Sequence, residues 1–301
     1  KRETVFQART SWMERIEREE YRVLVALADM ETLPSLMETA FAIAKPNKGE
    51  IVVVTVVEVP DGEPIVAGMA LPRSVEEQLE LAVRYGREQG MEVRPVVEIG
   101  RRISLALVQA AREAHCNFLV MGQPRQRSVF DRLVPSVVDL VLENAPCQVA
   151  IVYGAVHRAA INRVVVPVTG DANATLAARV APAFGEWFNA PIRALTVIDP
   201  ALNEADTVSR TAAAQAVLDD AEIDQSVDVL RRANPALGLL RAVGHGGLVL
   251  MGAPTLGPLV PLIGMTMPAL IASRERNPVV VFSAVHEQRT RSLDEFFFSR
   301  K

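Results

Sequence analysis

The sequence consists of two similar halves, and this internal repeat limits the possible folds more than any other feature. Four segments of the first half recur in the same order in the second half. The pairs are YRVLVALAD at 21–29 with NRVVVPVTGD at 162–171, VVVTVVEVP at 52–60 with RALTVIDP at 193–200, FLVMGQP at 118–124 with LVLMGAP at 248–254, and ENAPCQVAIV at 143–152 with RNPVVVFSAV at 276–285. Since self-similarity at a long period marks repeated structural units, the 301 residues are expected to form two related domains.

The repeated segments predict the strands of an α/β fold. Each contains a short run of β-branched residues, which is typical of strands buried on both faces of a parallel sheet. Strands are predicted near 21–28, 50–58, 92–98, 117–122 and 147–153, and again near 163–169, 192–199, 226–230, 247–252 and 278–283. Apolar residues at three-to-four spacing predict first-half helices over 31–45, 75–89, 104–114 and 136–143, with Ser74 and Glu77 as a capping box. The alternation predicts two tandem doubly wound parallel five-stranded sheets.

The same pattern sets the expected domain boundaries. These are a connector or docking helix at 1–20, a first domain at 21–158, a second at 159–285 and a tail at 286–301. An apolar stripe on the connector (Trp12, Met13, Ile16), the charge-free loop 256–267 and the Phe296–Phe298 run in the tail predict docking surfaces. The alternative for the Phe run is that it packs back on the domain. The last strand of each half would have an exposed edge, so pairing of these two strands into an intrachain pseudo-dimer is expected.

Charge and cysteine content exclude several classes of protein. The formal net charge is −4 and the pI is about 5.7, whereas proteins that bind nucleic acid through phosphate contacts usually have a basic surplus. Cys116 and Cys147 have no further ligand at zinc spacing, and the four histidines are scattered. No metal site or disulfide scaffold is therefore predicted, both cysteines are expected to be buried, and a reducing cytoplasm fits.

The segment from Arg241 to Arg274 contains no charged residue between these two arginines and resembles a membrane span in length. It also contains six glycines and four prolines, which would interrupt a membrane helix repeatedly. It is predicted to form a buried strand, an apolar loop and a short helix.

Candidate ligand-binding residues cluster at the predicted carboxyl ends of the first-half strands, where doubly wound sheets bind ligands. They are Asp29, Val57, Gly122, Gln123, Arg125, Arg127 and Ser136. A helix beginning near Ser136 would offer free amides to an anion, and the two arginines could hold a phosphate. The alternative is that Ser136 is only a helix cap and the arginines belong to a solvated loop.

The five-strand unit, the LVMG strand end and the closing APCQVAIV strand resemble the universal stress protein family, here in tandem. This resemblance implies an adenine-nucleotide α-hydrolase-like fold and binding of ATP or another adenine nucleotide. The family's Gly, Gly, Gly and Ser/Thr positions fall on Gly122, Arg125, Pro135 and Ser136, so two of the four match. In the degenerate second half the corresponding residues are Gly252, Thr255, Met265 and Thr266. Any nucleotide is therefore expected in the first half.

The charged lead-in, the VLVALAD strand, the AKPNKGEIVVVTVVEVP segment and the tandem layout resemble the cytoplasmic C-terminal region of bacterial amino acid permeases of the amino acid–polyamine–organocation superfamily. This resemblance implies a non-catalytic regulatory or ligand-sensing module on the inner face of the cell membrane, with the membrane-embedded transporter portion or a second copy of the chain as partner. The start at Lys1 agrees with either a removed tag or a piece of a longer chain.

Two other functions remain open. The first alternative is a free-standing tandem stress protein that binds an adenine nucleotide. The second alternative is an enzyme of the α-hydrolase class. Such an enzyme would need a Ser/Gly-rich phosphate loop after the first strand, but the sequence there is ALADMETLPS, which contains no glycine. The sequence also contains no Walker loop and no nucleophile and base at workable spacing, so no catalytic residues are predicted.

Overall fold

The computed structural model of the protein describes residues 20–123, 136–253, 267–275 and 277–285. The connector helix predicted over 1–20 and the Phe296–Phe298 run lie outside the described residues, except for residue 20 itself. The apolar loop predicted within the charge-free segment also lies outside them, apart from its ends.

The first half alternates strands and helices as predicted. Its strands are β1 Arg22–Ala26, β2 Glu50–Glu58, β3 Val93–Gly100, β4 Phe118–Gly122 and β5 Gln148–Tyr153. Its helices are α1 Leu33–Ala44, α2 Arg73–Glu88, α3 Ile103–Glu113 and α4 Val137–Asn144, with short 3-10 turns at Lys45–Asn47 and Ile65–Met69. The predicted elements of this half are all confirmed to within two residues at each end.

The second half has the same alternation. Its strands are β6 Arg163–Pro167, β7 Ile192–Ile198, β8 Asp228–Arg231, β9 Gly247–Gly252 and β10 Val279–Ser283. Its helices are α5 Ala172–Phe188, α6 Glu204–Asp220, α7 Pro235–Val243 and α8 Met267–Glu275. Strand β9 lies in the charge-free segment and α8 begins in it, which confirms the strand and short helix predicted there. Among the described helices, none is long and apolar enough to cross a membrane.

The capping box predicted at Ser74 is wrong. Helix α2 begins at Arg73, directly after Pro72, so Ser74 lies inside the first turn. Proline fixes its own φ and restricts the backbone before it, which makes Pro72 the helix boundary. Glu77 instead forms an ion pair with Arg73, with 2.9 Å between Nε and Oε1.

The ten strands form one continuous sheet in the order β3-β2-β1-β4-β5-β10-β9-β6-β7-β8. Each half contributes five parallel strands, and the two halves join where β5 and β10 pair antiparallel, with Ile151 opposite Val281. This pairing confirms the predicted pseudo-dimer, because it covers the edge that each last strand would otherwise expose. The fold class is therefore α/β with two doubly wound five-stranded units in one sheet.

The apolar core continues through the join between the halves. One buried cluster on each face of the sheet contains residues from both halves. On one face, the Phe282 ring packs edge-to-face against Phe118 and Phe184, with centroid distances of 6.2 and 5.9 Å. Aromatic pairs in this geometry add to the stabilisation from buried area. The two halves therefore share a hydrophobic interior.

A buried carboxylate also links the halves. Glu38 on α1 is 4% exposed and accepts hydrogen bonds from the Tyr85 hydroxyl and from Nε1 of Trp187 on α5, each 2.6 Å long. Burial and the bond to Glu38 raise the pKa of the Tyr85 hydroxyl above its ordinary value. Lys45 and Arg158 lie over the Trp187 ring, at 4.8 and 4.4 Å from its centroid. The contact between α1 and α5 is therefore polar at its centre.

Candidate functional site

The carboxyl ends of β1, β2 and β4 meet at one edge of the first-half sheet, since these strands are neighbours in the order β2-β1-β4. This edge brings together four of the predicted site residues. Asp29 follows β1, Val57 lies near the end of β2, Gly122 ends β4 and Gln123 follows it. The predicted convergence of these strand ends is confirmed.

Asp29 shapes the turn that leads from β1 into α1. Its carboxylate accepts a hydrogen bond from the backbone amide of Thr32 at 2.9 Å, and the Thr32 hydroxyl donates to the Asp29 carbonyl at 3.2 Å. Helix α1 begins at the next residue, with Pro34 in its first turn. The Asp29 side chain is half-buried in this turn, so it stabilises the local backbone at the rim of the crevice.

Ser136 caps helix α4. Its hydroxyl accepts a hydrogen bond from the Asp139 amide at 3.1 Å and donates one to Oδ2 of Asp139 at 2.7 Å. The Ser136 amide also donates to Oδ2 of Asp139, at 2.8 Å, which completes a capping box. Ser136 is thus a helix cap, and Asp139 already occupies two of the donors that an anion there would use.

Among the described residues, the crevice beside Gly122 is open. A methyl group built on Gly122 would have Cγ2 of Thr32 as its nearest neighbour, at 3.9 Å, which is ordinary van der Waals contact. Gln123 is exposed, and its amide donates to the Val152 carbonyl at 2.9 Å, so its backbone is held by β5. The space above β4 is therefore free of the described side chains around Gly122.

The corresponding place in the second half is closed. A methyl group on Gly252 would lie 2.4 Å from the Ala174 nitrogen and 2.6 Å from the Asn173 carbonyl carbon, both at the start of α5. Asn173 is 3% exposed, donates from Nδ2 to the Ala253 carbonyl at 2.8 Å and accepts from the Ala284 amide at 2.9 Å. These bonds tie α5 to the ends of β9 and β10, so the helix start fills the second-half crevice.

Val57 is covered by the 3-10 turn Ile65–Met69. A methyl group on Gly68 would lie 3.6 Å from Cγ1 of Val57 and closer still to Ile99 and Val59. Two residues before Val57, the Thr55 side chain is 5% exposed, and its hydroxyl has no hydrogen-bond partner among the described residues. Thr55 was not predicted as a site residue, because a threonine in a β-branched run looks like an ordinary strand residue.

Several predicted site residues lie outside the described residues. These are Arg125, Arg127 and Pro135 in the first half and Thr255, Met265 and Thr266 in the second. The described residues include no group of three or more His, Cys, Asp or Glu side chains placed to hold a metal ion.

The two cysteines are buried, as predicted, with 8% of Cys116 and 5% of Cys147 exposed. Their sulfur atoms also lie 3.2 Å apart. No local sequence pattern predicts this contact, because 31 residues separate the two cysteines along the chain.

Comparison with known proteins supports the same fold. Residues 21–153, from the residue before β1 to the end of β5, match the model of the universal stress protein family. No curated protein sequence matches the chain.

The solved structures that are similar to the chain include the following three. A universal stress protein from Archaeoglobus fulgidus DSM 4304 is 18% identical, with 86% of this chain and 95% of that one covered and a TM-score of 0.60. The cytoplasmic domain of a prokaryotic cation chloride cotransporter is 12% identical, with 88% and 96% covered and a TM-score of 0.55. A universal stress protein in complex with cAMP is 24% identical over 44% of this chain and 95% of its own, with a TM-score of 0.33.

Proposed function

We propose that this chain is a non-catalytic regulatory module that senses a ligand, and that it serves as the cytoplasmic domain of a membrane amino acid transporter. The observation that carries this proposal is the fold that it shares, over most of both chains, with the cytoplasmic domain of a cation chloride cotransporter. The choice of amino acids as the transported solute rests on the sequence resemblance alone.

The arrangement of the first-half crevice supports sensing by binding. Asp29 and Ser136 are two polar side chains that could approach a bound ligand there, and both already hydrogen-bond within their own turns. Groups committed in this way stabilise the backbone and are poor candidates for proton transfer or nucleophilic attack. As far as the described residues show, the space above Gly122 leaves room for a ligand to dock against the strand ends.

Cell fractionation of the native gene product tests the transporter assignment. An antibody raised against this chain should detect it in the membrane fraction, and carbonate extraction should not release it. A native product found entirely in the soluble fraction would contradict the transporter assignment and favour a free-standing protein.

The second candidate function is a free-standing protein that binds ATP or another adenine nucleotide. The match of residues 21–153 to the universal stress protein family favours it, together with the contrast between the open first-half crevice and the closed second-half one. This proposal predicts one nucleotide per chain, bound in the first half. Calorimetry with ATP, ADP and cyclic AMP measures both the stoichiometry and the affinity.

The Gly122→Ala variant places a methyl group in the open crevice with little strain and should weaken nucleotide binding about fivefold, or about 1 kcal/mol. The matched control is Gly100→Ala at the end of β3, where the new methyl would have Ala106 Cβ at 3.4 Å. Replacing Arg125 and Arg127 together by alanine should cost about 1.5–3 kcal/mol for each charged hydrogen bond they make. Tight binding that neither variant changes would place the nucleotide elsewhere.

The proposal that the chain has no catalytic activity is tested on the same protein by an assay for ATP hydrolysis. Magnesium-dependent ATP hydrolysis above a heat-killed control, abolished by Ser136→Ala, would overturn it. The control substitution is Ser74→Ala on the exposed first turn of α2.

A further inference from the structure

Two thiols lie in contact at the amino ends of the first-half strands, whereas the crevice lies at the carboxyl ends of these strands. Cys116 precedes β4 and Cys147 precedes β5, so both lie at the amino ends of neighbouring parallel strands, whose register pairs Phe118 with Gln148. Their sulfur atoms are 3.2 Å apart, and both cysteines are free. This pair belongs to neither half's crevice, and the proposed function makes no use of it.

The two sulfurs are already close to bonding distance. The register of β4 and β5, continued back by one residue, places Cys147 beside Asn117, the residue after Cys116. An S–S bond is about 2.05 Å long, so the two sulfurs need to approach by only about 1 Å. Rotation of the two short side chains can supply a shift of that size without moving the strands.

The buried pair can be reached from outside. A cavity of about 410 Å³ lies beside Cys116, lined by Ala111, Arg112, His115, Cys116 and Pro146. His115 is exposed and has a left-handed backbone, with φ of 46°, in the turn that leads from α3 to β4. Cys116 lines this cavity and is 8% exposed, so a small oxidant can reach this residue more easily than a bulky thiol reagent can.

We propose that Cys116 and Cys147 are a redox-responsive pair, closed to an intrachain disulfide by a hydroperoxide and reopened by a dithiol reductant. In the first step the sulfur of Cys116 attacks the peroxide oxygen, so an S–O bond forms, the O–O bond breaks and one water leaves. In the second step the Cys147 sulfur attacks the resulting sulfenic acid. The S–S bond forms, the S–O bond breaks, and the leaving hydroxide takes the second thiol proton as water. Two thiols and one hydroperoxide thus give one disulfide and two waters when the oxidant is hydrogen peroxide.

The local environment sets the rate of this response. The hydrogen bond to Cys147 and burial raise the pKa of the Cys116 thiol above its ordinary value. Since the thiolate is the reactive form, the pair should react slowly with brief exposure to oxidant and close under sustained exposure. Once the first sulfur is oxidised, the adjacent second sulfur captures it before further oxidation.

Closure would tie the start of β4 to the segment that follows α4. The enclosed residues, 117–146, include Gly122, Gln123 and the Ser136 cap. A cross-link restricts the unfolded chain, so the oxidised protein should unfold at a temperature several degrees higher. The disulfide does not depend on ligand binding, so a failure of this proposal is distinguishable from a failure of the proposed function.

Hydrogen peroxide treatment of the whole chain tests the proposal, followed by alkylation of remaining thiols and peptide mass spectrometry without reduction. Free thiols should fall from two to zero, a single Cys116–Cys147 peptide pair should appear, and dithiothreitol should restore both thiols. The chain should stay a single species of unchanged size on a non-reducing gel.

The Cys116→Ala and Cys147→Ala variants serve as controls, because alanine keeps a small apolar side chain at each buried position. Neither variant should gain thermal stability on oxidation, whereas the parent protein should. Two thiols that persist after prolonged peroxide would overturn the proposal. Sulfinic acid without the disulfide peptide, or disulfides only between chains, would overturn it as well.

Discussion

Glu38 is the residue at which the two halves are joined by polar bonds inside the core. Its carboxylate accepts hydrogen bonds from the first half through Tyr85 and from the second half through Trp187. The Tyr85 hydroxyl and the Trp187 indole donate to different oxygens of the Glu38 carboxylate, whereas a neutral amide in its place has only one acceptor oxygen. The stability of the joint should therefore depend on the charge of Glu38 as well as on its size.

The Glu38→Gln substitution keeps the size of the side chain and removes its charge. It should lower the free energy of unfolding by about 1.5–3 kcal/mol, the range for a hydrogen bond to a charged group. Denaturant titration measures the change, with Glu76→Gln on the exposed face of α2 as the control. The control should change the value by less than about 0.5 kcal/mol, and an equal effect of both variants would contradict a special role for Glu38.

The protein should be more stable with valine than with threonine at position 55. The buried hydroxyl of Thr55 has no partner among the described residues, so Thr55→Val removes an unsatisfied polar group at nearly constant shape. The free energy of unfolding should rise by about 1 kcal/mol in denaturant titration. Thr196 holds the matching position of the repeat on β7, and Thr196→Val should give a smaller gain. A loss of stability in Thr55→Val would show that its hydroxyl has a partner.

Among the elements, α5 carries an internal proline. Pro182 lies in the middle of Ala172–Phe188 and is exposed, while its neighbour Ala181 is buried. Proline has no amide hydrogen, so the carbonyl four residues earlier, at Ala178, lacks its helical donor. Helix α5 is also the helix that packs on α1 and closes the second-half crevice, so its stability matters to both.

The Pro182→Ala substitution should stabilise the protein by about 1–2 kcal/mol, because it restores a helical hydrogen bond at an exposed position. Part of the gain is offset, since proline also restricts the unfolded chain. Thermal unfolding followed by circular dichroism measures the change. Pro200→Ala, in an exposed turn, should be neutral or slightly destabilising, and a gain there equal to that of Pro182→Ala would contradict the helical explanation.

The elements could be predicted from the sequence because their signal is local. A β-branched run such as that in β2 and the apolar spacing in α1 reflect burial on a fixed side of the sheet, and the repeat checks each assignment a second time. The helix start at Arg73 was not predicted, because Pro72 sets the helix boundary although Ser74 is a favourable cap residue. The Cys116–Cys147 contact and the closure of the second crevice by Asn173 depend on residues far apart in sequence, which no local pattern reports.

At the scale of the whole molecule, the join between β5 and β10 predicts how the first half behaves alone. Residues 1–158 expressed as a fragment would expose the β5 edge and the apolar surface around Phe118. An uncovered strand edge of this kind favours pairing with another copy. The fragment should therefore form a dimer at micromolar concentration, as measured by size-exclusion chromatography with light scattering.

The control for this fragment replaces Ile151 by lysine at the centre of the β5 edge. The added charge should prevent edge pairing and leave a monomer or an unfolded chain, which circular dichroism separates. A parent fragment that stays monomeric and folded would contradict the role of the join.

The antiparallel join also places the two crevices at opposite ends of the molecule, which are called its poles here. Because β5 and β10 run in opposite directions, the carboxyl ends of the first-half strands and those of the second-half strands face opposite ways. Tyr21 enters at the amino end of β1, and Ala284 leaves beside Asn173, so both ends of the described chain emerge at the pole of the closed crevice. A tether attached at either end would therefore hold the molecule by its closed pole and leave the open one facing the surrounding solution.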